Sequence, residues 1–85
     1  MALTTPEWVK LHGGELRESK DGRSWLLYLD GQPQYLVMPV PADGKFSCRV
    51  AETINGRRLD DGAIYPTLED AARGGLEELR QKLGW

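Results

Sequence analysis

Hydrophobic residues recur with a helical period at the carboxyl end of the chain. Leu68, Ala72, Leu76, Leu79 and Leu83 fall within about 80° of arc at roughly 100° per residue, with Glu69, Arg73, Glu77, Arg80 and Gln81 opposite. The pattern predicts an amphipathic α-helix over about 68–83 that must lie on another layer. Thr67 is placed to cap it, Asp70 stands three residues on, and Glu69 adds charge against the helix dipole. Glu69/Arg73 and Glu78/Lys82 are i,i+4 pairs in the favourable order. Gly84 suits the left-handed position after the last turn, which brings Trp85 within reach of Leu79. Gly74-Gly75 in mid-helix costs about 1 kcal/mol per glycine relative to alanine. Such a pair predicts a close approach of the helix backbone to a sheet, with a kink or a partner contact as the alternative.

Between about 15 and 65 the period shortens to two. Ser24–Leu29 is apolar on both parities, so it belongs in the middle of a sheet or under cover on both sides. Gln34–Val40 is strand-like, and Pro39 marks an end or an edge because it cannot donate to a ladder. Lys45–Ile54 alternates, with Phe46, Cys48, Val50 and Ile54 on one face and Ser47, Arg49 and Thr53 on the other. Glu52 shares the apolar parity, which requires a wet end to that face or a bulge. Short strands are also predicted near Leu16–Ser19 and from about Arg57 to Tyr65. Asp21-Gly22, Asp30-Gly31, Asp43-Gly44, Asn55-Gly56 and Asp61-Gly62 punctuate these runs and favour two-residue hairpin turns. Near the amino end, Thr5 as cap, Pro6 at the first helical position and Gly13-Gly14 as a stop predict a short helix over about 6–12, with Trp8 and Leu11 on one side. An edge strand through Trp8–Leu11 is the rival. Short turns leave no room for parallel crossovers. The prediction is one α+β domain over 1–85. It has an antiparallel β-meander of three to five strands, a short N-terminal helix, and the C-terminal helix packed on one face.

Composition narrows the function more than it defines it. A chain of 85 residues with formal net charge −2 is small and not basic overall, which weighs against a dedicated nucleic-acid binder. One cysteine, Cys48, and a start with no basic or apolar leader region predict a reducing, cytoplasmic setting. No run has the length of a membrane span.

A single histidine, His12, with a single cysteine makes no metal cluster. Cys48 lies on an apolar parity, where a thiol is inert, and His12 suits a helix C-terminus. Asp60 and Asp61 with Glu69 and Asp70 are the one acidic group that resembles a cation site, but turn and dipole chemistry account for them. No cofactor motif occurs, and no enzyme is indicated.

Two surfaces remain as candidates. Lys45, Arg49, Arg57 and Arg58 form a basic stretch fit for an anion or nucleic acid. Trp8, Trp25, Tyr28 and Tyr35 are candidate aromatic contacts for a protein partner or for self-association. The leading expectation is a non-enzymatic interaction module, and the alternative is a nucleic-acid-associated domain.

Strands followed by a helix opening on Thr67-Leu68-Glu69-Asp70-Ala71 resemble the arm-type DNA-binding domains of phage integrases and AP2-like modules. With the first helix included, the order resembles double-stranded-RNA-binding domains. Either likeness implies a nucleic-acid partner. Glu69 and Asp70, however, replace the basic helix start of the RNA-binding family. The chain as a whole is similar to short uncharacterised single-domain proteobacterial proteins, a likeness that carries no activity.

Overall fold

A computed structural model describes residues 3–85. The elements run α1 (Glu7–Leu11), β1 (Gly14–Glu18), β2 (Trp25–Leu29), β3 (Gln32–Ala42), β4 (Lys45–Glu52), β5 (Ile64–Tyr65) and α2 (Leu68–Leu83). The strands form one antiparallel sheet in chain order. This is the predicted α+β meander with a helix at each end.

Cross-strand partners share a face, so the register divides the sheet into two sides. Leu16, Trp25, Leu27, Tyr35, Val37, Cys48 and Val50 share the inner side. There they meet Val9 of α1 and Ala71, Ala72, Leu76 and Leu79 of α2 to form the core. Both helices therefore cover the same side.

α2 behaves as its sequence predicts. Asp70 N–H donates to Thr67 Oγ1 at 3.1 Å. Gly84 is left-handed (φ 74°), and Gly84 N and Trp85 N donate to Gln81 O and Arg80 O. The mid-helix glycines mark close approach. A Cβ on Gly74 would overlap the Tyr65 ring, and one on Gly75 would overlap Cys48 Sγ and lie 2.9 Å from its Cβ.

Several expectations are corrected. α1 caps on Pro6 without a side-chain bond, because Thr5 Oγ1 instead accepts from Leu16 N at 3.3 Å. The residue that α1 buries is Val9, while Leu11 is 76% exposed. β4 ends at Glu52, so Ile54 falls in the turn and is 91% exposed.

Asp30-Gly31 and Asp43-Gly44 make two-residue turns with positive φ at both positions. Asn55-Gly56 does not: Gly56 N donates back to Glu52 O at 2.9 Å, closing a longer loop. Beyond it the chain stays bonded to β4 through the Ala51–Arg58 bridge, Asp60 and Ala63 O before β5 forms.

Pro39 lies in the central strand, yet it also sits at a local edge. Pairs alternate away from the Asp43-Gly44 turn, which puts Pro39 and Pro41 on non-hydrogen-bonded pairs with β4. Their nitrogens face the β2 side, where pairing ends at Trp25–Val37. No ladder bond is lost.

Candidate functional site

The outer side of the sheet is the candidate surface. Leu26, Leu36, Met38, Val40 and Ala51 occupy its middle by parity, with Ile64 at the β5 border. None of them belongs to the cluster beneath the helices, although Ala51 is itself buried. A strand that is apolar on both parities, as β2 is, ordinarily sits between two covered faces. Here only the inner face has a helix on it.

Charge is distributed unevenly between the sides. On the outer parity of the strands and the Ala51–Arg58 bridge stand Arg17, Lys45, Arg49 and Arg58, with Glu15 the only acid. Asp30 and Asp43 lie in the turns beyond the strand ends. The inner parity carries Glu18 and Glu52, and α2 carries Glu69, Asp70, Glu77 and Glu78 against Arg73, Arg80 and Lys82.

Arg17 pairs with Glu15 at 3.0 Å, and its guanidinium lies 4.2 Å over the Tyr28 ring. Arg58 makes a two-point bond to Asp60, whose carboxylate also accepts from Val50 N. Arg58 is the main cause holding Asp60 down to about 2. Lys45 and Arg49 make no ion pair among the described residues.

The predicted basic stretch therefore divides. Lys45, Arg49 and Arg58 share the outer face, but Arg58 is neutralised. Arg57 stands at the far end of β4 from Lys45. The predicted aromatic set divides as well. Trp25 is in the core at 1% exposure and can offer a partner nothing. Its Nε1–H finds no acceptor among the described residues. Tyr35 lies on the inner parity beside Glu52, and burial raises its pKa. Trp8 lines a groove of about 520 Å³ between the N-terminal segment and α2, with Leu3, Pro6 and Leu76. Only Tyr28 stands on the open face.

A second cluster was not legible in the sequence. Glu78 does not pair with Lys82. It turns toward the sheet, where Tyr65 Oη donates to its Oε1 at 3.4 Å and its Oε2 is buried without a partner. Burial first, then the facing Asp61 carboxylate, raises Glu78 to about 7. The Glu78 side chain is in turn the main cause that lowers Asp61. Burial and Glu78 also push Tyr65 up to about 12.

Cys48 lies under Gly75 and is 2% exposed; burial, Glu78 and Asp60 raise its thiol to about 12. A thiol in that state is no nucleophile. The acid that joins Asp61 is thus Glu78 rather than Glu69, which bonds Arg73. No group of three or more ligands suited to a metal ion occurs among the described residues. No helix among them is long and apolar enough to cross a membrane. Comparison with protein-family models, curated proteins and solved structures finds no match.

Proposed function

We propose that this protein is a non-enzymatic interaction module that binds a protein segment on the open face of its sheet. The observation that carries the reading is the aliphatic row Leu26, Leu36, Met38 and Val40 on a face that neither helix covers. Contiguous apolar surface with a polar rim is how a protein interface is built. A single-stranded nucleic acid would instead need aromatic platforms. The centre of this face is aliphatic, and its one strand aromatic, Tyr28, already carries Arg17. The single buried thiol suits a reducing compartment, so the cytoplasm is part of the proposal.

The test is a photo-crosslinking side chain placed at Leu36, with the same group at Glu77 as control. Protein adducts are expected at Leu36, absent at Glu77, and lost when Met38→Asp is added to the Leu36 variant. Nucleic-acid adducts, or none at Leu36, would overturn the reading.

A further inference from the structure

The geometry points to a specific occupant for the open face: an acidic amphipathic helix of a partner protein, laid along β4 with its apolar stripe on Leu36, Met38 and Val40. This rests on the reading above and adds the chemistry of the partner.

Three observations select it. First, the sheet edges are poor templates for another strand, β5 being only two residues long. Leu16 N–H on β1 is occupied by Thr5 Oγ1, and the free side of β3 beyond Val37 carries Pro39 and Pro41, which have no N–H. A partner therefore crosses the face instead of extending the ladder.

Second, the rim is basic, and the two outer-parity cations that make no ion pair among the described residues, Lys45 and Arg49, both stand on β4. Lys45 and Arg49 are four residues apart on β4, about 13 Å at the strand rise. For a helix lying parallel, that spacing is about two and a half turns. Two acids on one flank at that separation would each reach a cation, while Leu-type residues between them cover Met38 and Val40.

Third, the same charges oppose a second copy. Face-to-face pairing of identical chains with β4 over β4 would set Lys45 and Arg49 against their own kind. The exposed side of α2 offers a neighbouring copy ion-paired Glu69, Arg73, Glu77 and Arg80, with no apolar stripe.

The experiment uses the whole chain, isotope-labelled, and helical peptides of about 18 residues with leucine at helical spacing and glutamate along one flank. Otherwise identical peptides carry glutamine or lysine at the flank positions. An oligothymidine and vesicles containing an anionic lipid complete the set. The glutamate peptide is expected to shift the amides of Leu36, Met38, Val40 and Arg49 saturably, and binding weakens as salt rises. The glutamine peptide should bind about tenfold more weakly, and the lysine peptide should give no shift. Arg49→Glu should remove most of the preference for glutamate, whereas Arg73→Glu on α2 should leave it unchanged.

Equal binding of the glutamate and glutamine peptides would overturn the acidic assignment and leave the open face standing as a binding surface. Failure of every peptide to shift that face would overturn both. Shifts there with oligothymidine or vesicles in place of peptide would transfer the face to nucleic acid or lipid.

Discussion

Gly75 and Glu78 show opposite ways in which a residue departs from its local preference. An alanine at Gly75 would improve helix propensity by about 1 kcal/mol. Its Cβ, however, would enter the space held by buried Cys48. We expect Gly75→Ala to destabilise the protein by about 1–3 kcal/mol in urea denaturation, as overpacked cores do. Cys48→Ala in the same chain should recover part of the loss, a coupling that a double-mutant cycle measures.

Glu78 sets a pH dependence. Its folded value, about 7, lies above the 4.5 of an unperturbed glutamate. The folded state holds that proton more tightly, so the stabilising contribution is complete below about pH 4.5 and is lost as pH rises through 7. For a partly exposed group the full shift overstates the energy, and about 1–2 kcal/mol is expected. Denaturation midpoints of the native chain should fall between pH 5 and 8. Glu78→Gln should flatten that fall and be the more stable form at pH 8. A native profile that rises over this range would refute the raised Glu78. Asp60 acts in the other direction. Its lowered value gives stability that is present above about pH 4 and lost as pH falls toward 2.

At the scale of elements, the two helices are joined through the last residue. Trp85 stacks on His12 with ring centroids 3.8 Å apart and meets Trp8 at 5.9 Å. With only five residues, α1 is too short to hold itself as a helix. Val9 in the core and this aromatic contact fasten it. Trp85→Ala is expected to cost about 1 kcal/mol and to raise hydrogen exchange at Val9 and Lys10 while β2–β4 amides keep their protection. Uniform loss of protection would show that α1 and the sheet open as one unit.

The ends of α2, the Gly74-Gly75 approach and the strand order were readable because each rests on local chemistry: a cap, a missing Cβ, a turn dipeptide. The destination of Trp85 was not, since the sequence places its neighbour within α2 and cannot bring His12 to it. Nor was the β4 end. Asn55-Gly56 has the composition of a tight turn, and only the bond from Gly56 N to Glu52 O reveals the longer loop that puts Ile54 in water. Glu78 escaped for a related reason. Its i,i+4 partner, Lys82, offered a surface explanation that burial beside Tyr65 overrides.

Taken as a whole, the molecule is polarised despite a net charge of only −2: the outer parity carries four cations and one acid, while the inner parity and α2 carry six acids and three cations. Composition averages this away, and parity recovers it once register is known. The arrangement makes salt act in opposite directions on two kinds of association. An acidic ligand on the open face loses attraction as the Debye length shrinks from about 30 Å at 0.01 M to about 3 Å at 1 M. Two copies meeting face to face lose repulsion over the same range, while their aliphatic contact is unscreened. Sedimentation equilibrium should therefore find a monomer at low salt and rising apparent mass toward 1 M. Arg49→Glu should move that rise to lower salt by removing like charge from the seam. A tight dimer at low salt, dispersed as salt increases, would mean that the face is matched to its own kind, and the acidic partner would have no place to bind.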